Sequence, residues 1–136
     1  MTTRIEQKRQ RAQHVNAAIR IIASHGRRFF YCSKHDRTAT LEVDERGRIW
    51  FVDDYTGVRV YTHYPYGWKH FSHGGTLRRL VEVFRDYIST GKPICASWLG
   101  PEASWSTGNV WGYEPEAMQA VRDAALQLPV FQGEKI

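Results

Sequence analysis

The chain has 136 residues, 42% hydrophobic and 24% charged, which suits one globular domain around one core. No apolar run approaches the roughly 20 residues that span a bilayer, and the N-terminal "MTTRIEQKRQRAQH" lacks the apolar stretch of a secretory signal. Two cysteines, Cys32 and Cys95, are too few for a disulfide scaffold, so free thiols and a cytoplasmic location are expected. The net charge of +5 is unevenly spread. Residues 1–28 carry Arg4, Lys8, Arg9, Arg11, Arg20, Arg27 and Arg28 against Glu6 alone, while the remaining 108 residues are close to neutral. Charge clustered in this way attracts polyanions, although a basic helix face can also be merely solvated.

In chain order, Ile5, Ala12, Val15, Ile19 and Ile22 recur at helical spacing and predict a helix over 4–24, ended by Gly26. Its first turns are mostly polar, so residues 1–12 are expected as a basic arm able to project. Four strands follow. "RFFYCS" (28–33) is the first. "TATLEVD" (38–44), with strict alternation, is the second; "RIWFVDD" (48–54) and "VRVYTHY" (58–64) are the others. Short turns with Gly47 and Gly57 favour an antiparallel meander of three to four strands.

"PYGWKHFSHGG" (65–75) is an aromatic loop. Leu77, Leu80, Val81, Phe84, Tyr87 and Ile88 then give the strongest helical pattern in the chain, with Gly91 and Pro93 as its stop. Residues 94–114 form a long irregular segment carrying Trp98, Trp105 and Trp111. Pro115 opens a last helix with Ala117, Met118, Val121, Ala125 and Leu128 on its apolar face; Pro129 stops it, and "FQGEKI" is expected to fray. The fold class expected is α+β in a single domain, in the order α-β-β-β-β-α-loop-α.

The start of the second long helix draws attention. Lys69, His70, His73, Arg78 and Arg79 crowd an end where the macrodipole is already positive. Gly74 and Gly75 let an anion approach the backbone closely. One reading is a phosphate site made by Lys69, Gly74, Gly75, Thr76 and Arg78. The other is a simple cap by Ser72 or Thr76, with the arginines facing solvent or Asp53 and Asp54. Asp53 and Asp54 read as a metal pair or, more simply, as the cap of the turn to Gly57. Cys32-x-x-His35 and His70-x-x-His73 have ligand-like spacing, in a combination uncommon for structural zinc; no metal and no cofactor is expected.

Three functions are compatible with these residues. The preferred one is a non-enzymatic protein that grips nucleic acid or a nucleoprotein complex, with Arg9, Arg11, Arg27, Arg28, Lys69, Arg78 and Arg79 on phosphates and Trp68 stacking on a base. The second is a protein-binding inhibitor whose contact is the aromatic segment with Trp105 and Trp111. The third is a small nuclease that uses His70 and His73 as acid and base.

Two resemblances add expectations. Helix, meander, helix resembles the order of double-stranded RNA-binding domains, which implies phosphate contacts at Lys69, Arg78 and Arg79. "GRIWFVDDYTG", "YTHY", "HGGTLRRLV" and "DYISTG", within residues 47–91, are similar to small uncharacterised proteins of bacterial mobile elements and phages. That resemblance implies an anti-defence role of the anti-CRISPR kind, with a bacterial defence protein as partner.

Overall fold

The computed structural model describes residues 3–25, 28–63, 68–73, 75–94 and 115–132. Helix α1 (Arg4–Ala23) begins at Thr3, whose hydroxyl accepts the Glu6 N–H at 3.1 Å. Thr-x-x-Glu is the spacing of a capping box. The helix closes at Ser24, whose N–H reaches the Ile21 carbonyl and whose hydroxyl donates to the Arg20 carbonyl. Val15, Ala18, Ile19 and Ile22 face the core.

The strands divide into two antiparallel sheets. β1 (Tyr31–Cys32) pairs with β2 (Arg37–Thr38), and β3 (Thr40–Val43), β4 (Ile49–Val52) and β5 (Arg59–Tyr61) form a meander. The expected single meander is therefore split. The strand expected over 28–33 shrinks to two residues because Arg28 and Phe30 have positive φ (53° and 68°) and cannot extend. The segment 37–43 serves both sheets, with its first half on β1 and its second on β4.

Alternation in the meander sorts the side chains cleanly. Leu41, Phe51 and Val60 form one buried cross-strand row, and Ile49 lies buried beside it. Glu42, Trp50 and Tyr61 form a row on the opposite face, followed by Thr40, Val52 and Arg59. Helix α1 packs on the inner face with α2 (Gly75–Thr90), whose Leu80, Val81, Phe84 and Ile88 are fully buried, as their spacing predicts. Helix α3 (Pro115–Ala125) adds Val121 and Ala125. Pro129 ends that run and opens a short turn, α4 (Pro129–Gln132), that buries Val130 and Phe131. Phe131, expected in a fraying tail, is thus a core residue; residues 133–136 lie outside the described residues.

Asn16 joins α1 to the sheet. Its side chain accepts the Leu41 N–H at 2.8 Å and donates to the Leu41 carbonyl at 3.0 Å, pairing backbone groups that β3 leaves open on that side. Asn16→Ala strands both groups, and a loss of about 2 kcal/mol in unfolding free energy is expected by denaturant titration.

The first turns of α1, expected as a projecting arm, lie against the β3–β4 hairpin. Lys8 Nζ donates to the Gly47 carbonyl at 3.0 Å and Arg9 Nε to the Val43 carbonyl at 3.4 Å, while Ala12 is buried. The long cationic stems supply the contact that the polar sequence of these turns conceals.

Candidate functional site

The outer face of the β3–β4–β5 sheet carries an aromatic and cationic cluster. The Trp50 and Tyr61 rings, partly exposed, lie 5.0 Å apart at 41°, and His63 continues the line 5.6 Å from Tyr61. The Arg59 guanidinium sits 4.3 Å over the Trp50 ring and that of Arg48 at 5.8 Å. Asp44 organises this end. One carboxylate oxygen accepts the backbone N–H groups of Arg46 and Arg48; the other accepts Arg48 Nε and Trp50 Nε1. The Trp50 N–H and these further donors hold the Asp44 carboxyl well below the usual carboxylate range. Arg9, Arg46 and Arg48 line an adjoining hollow of ≈ 350 Å³ together with Asp44 and Glu45. Burial, followed by the positive charges of Arg85 and Lys8, pushes the His63 imidazole down.

A second centre lies at the β4–β5 turn. Asp53 is fully buried, and its two oxygens accept four bonds, from Tyr55 N, Thr56 N, Ser72 N and Ser72 Oγ, at 2.8–3.1 Å. Burial pushes this carboxyl up, but the N–H of Thr56, both Ser72 donors and the Tyr55 N–H outweigh it, so Asp53 titrates below its ordinary value. Its neighbour Asp54 meets His73 Nε2 at 2.5 Å. The edges of Phe30 and Phe71 flank the imidazole at 5.1 and 5.5 Å. Asp54 and His73 form part of the wall of a cleft of ≈ 510 Å³, with Tyr31, Cys32, Lys34 and Tyr55 among the other lining residues.

Asp53, Asp54 and His73 place potential metal-binding atoms within 4.8 Å of one another, the one such group of three among the described residues. Cys32, His35 and His70 do not join it: His35 packs on the Tyr55 ring at 5.7 Å, and His70 is exposed. A metal on Asp53 would displace donors that already fill its lone pairs, so the turn-capping reading of Asp53 describes the geometry better.

The other expected site residues are dispersed. Trp68, expected to stack on a base, is 7% exposed, packed against Phe71 with the Arg78 guanidinium 4.5 Å from its ring; it is a core residue. Arg79 is exposed and 3.9 Å from Glu82, and Lys69 is exposed. Arg11 donates to the Ile88 carbonyl at the end of α2, beside a hydrogen bond between His14 and Tyr87. Arg28 lies over the Tyr31 ring and donates to the Ala23 carbonyl. Negative charge already stands beside the start of α2 in Asp53, bonded to Ser72, and Asp54, bonded to His73. Arg27, Gly74, Trp105 and Trp111 lie outside the described residues, and of Gly75 and Thr76 only the helical backbone is described.

The model of a family described as YoqU matches residues 5–132. A relative from Bacillus subtilis (strain 168), "SPbeta prophage-derived uncharacterized protein YoqU", is 35% identical over 121 residues, covering 88% of this chain and 81% of the relative. The chain belongs to the YoqU family. The phage resemblance of residues 47–91 is thereby accounted for at family level. No solved structure matches. No helix among the described residues of this YoqU-family chain is long and apolar enough to cross a membrane. Its Trp50–Tyr61 pair was missed by sequence reasoning although a signal exists. Trp50 stands between buried Ile49 and Phe51, and Tyr61 between buried Val60 and Thr62, so both aromatics occupy the outward phase of their strands.

Proposed function

We propose that this YoqU-family protein is a non-enzymatic binder of single-stranded nucleic acid, and that the strand crosses the outer face of the β3–β4–β5 sheet. The observation that carries this reading is the Trp50–Tyr61 pair at 5.0 Å with two guanidinium groups on Trp50. Rings and guanidinium planes stack unpaired bases, while arginines track the phosphates. The Arg59–Glu42 pair at 3.8 Å is about half exposed on both sides, and such pairs contribute little, so a phosphate displaces Glu42 at small cost. The net charge of +5 adds attraction at longer range. This reading keeps the nucleic-acid partner expected from the charge, and moves the contact from the basic first helix and the start of α2 to the sheet.

Fluorescence anisotropy with labelled single strands and duplexes of DNA and RNA, at two salt concentrations, tests it. Single strands should bind more tightly than duplexes, with log affinity falling by about 0.7 per phosphate contact per log unit of salt. Equal affinity for duplexes, or no binding at low salt, would overturn it.

The prophage origin of the Bacillus subtilis relative favours a second reading, a stoichiometric inhibitor of a bacterial defence complex. Capture of one such complex, lost on replacing Trp105 or Trp111, supports it.

A further inference from the structure

We infer that the cleft beside the His73–Asp54 pair holds one nucleoside monophosphate, taking its ring between tyrosines and its phosphate on Lys34. The cleft is a different surface from the sheet face, and the inference does not depend on the strand-binding reading.

Asp54 is hydrogen-bonded to His73 Nε2. The Asp54 side chain is 3% exposed and that of His73 13%, and the flanking Phe30 and Phe71 restrict rotation of the ring. Asp53 fixes both partners of this pair. Its backbone continues into Asp54, and its carboxylate holds Ser72, the residue before His73. His73 is thereby held in one orientation on the wall of the cleft.

The rest of the cleft has the chemistry of a nucleotide. Tyr55 is 50% exposed and is braced by His35. Tyr31 offers a second ring, held by its hydroxyl on Asp36 at 2.8 Å and by the guanidinium of Arg28. Exposed Lys34, on the turn between β1 and β2, supplies the cation. Ser33 and Ser72 add hydroxyls at the wall. The volume of ≈ 510 Å³ falls within the range of small-molecule sites. Flat rings, one cation and few, fixed polar groups match a planar base that carries a phosphate.

The test is a titration of the full chain with each of the four 5′-ribonucleoside monophosphates, followed by NMR of the backbone and of the histidine rings. Saturable shifts at His73 and Tyr55 are expected, with a dissociation constant on the order of 1 mM or tighter. Lys34→Ala and Tyr55→Ala alter exposed side chains and keep the fold; Tyr55→Ala should weaken binding about 5- to 150-fold, the range for loss of one stacked base. Trp50→Ala with Tyr61→Ala should leave this binding unchanged. No saturable shift, the same shifts with inorganic phosphate alone, or loss of binding only in the sheet-face variant would each overturn the inference.

Discussion

Asp53→Ala is expected to lower the unfolding free energy by about 3 kcal/mol, measured by denaturant titration at neutral pH. The wild-type carboxylate accepts four hydrogen bonds at 2.8–3.1 Å from groups on two separate segments. Alanine leaves all four donors without that acceptor. Tyr55 and Thr56 lie on an exposed turn where water can compensate in part, which keeps the loss below the sum for four stranded donors. Asp53→Asn should lose less, since one oxygen remains, but its amide must face one pair of N–H or O–H donors. A loss under about 1 kcal/mol in the alanine variant would show that the turn and the segment before α2 are held by packing instead.

The same residue gives a pH dependence with a definite sign. The folded-state pKa of Asp53 lies below its unfolded value. Its contribution is therefore fully present above about pH 4, where the unfolded carboxyl is also ionised, and is lost as pH falls through the depressed folded value. Asp44 is lowered as well, so acid destabilisation has two sources. Stability measured from neutral to acid pH should fall less steeply in Asp53→Asn than in the wild type, and least in the variant that also carries Asp44→Asn. Parallel curves would count against the assignment.

Trp50→Ala should weaken binding of a single strand by about 5- to 150-fold, equivalent to about 1–3 kcal/mol for one stacked base. Tyr61→Ala should have a similar effect, and because the rings touch, the double variant is not expected to be additive. The arginines act differently. Arg48→Ala and Arg59→Ala should each reduce the salt slope by about 0.7 if each guanidinium meets one phosphate. Trp50 also donates to Asp44, so its removal alters stability as well as binding. Trp50→Phe separates the two: it keeps a stacking ring and loses the hydrogen bond, so it should bind nearly as well as the wild type in a slightly less stable fold. Undiminished binding by a folded Trp50→Ala variant would move the strand off this face.

Much of the fold was legible in one dimension because periodicity records burial. The spacing of Leu77, Leu80, Val81, Phe84 and Ile88 reported a buried helix face, and each of these residues is in the core. The alternation of residues 38–44 and 58–64 reported strands with one face inside, realised over Thr40–Val43 and Arg59–Tyr61. Function was less legible. The crowd of cations near Gly75 allowed a phosphate site or a simple cap, and the sequence could not show that Asp53 bonds Ser72 and Asp54 bonds His73, each 19 residues later and just before that helix start. Trp68, in a loop rich in aromatics, was expected to stack on a base, yet Phe71 and Arg78 pack against it and it is buried.

By itself the sequence determined the α+β class, the helix faces, the turns at Gly47 and Gly57, and a basic surplus that favours polyanions. These follow from local backbone preferences and from the period at which apolar side chains recur. Only the tertiary structure decided which polar residues meet. It docked the basic first turns of α1 on the hairpin, placed Trp50 beside Tyr61, and brought Asp54 to His73. Such contacts join residues far apart in the chain. Hydrogen bonding and ring packing depend on distance and direction in space, and neither has a period that the order of residues can carry.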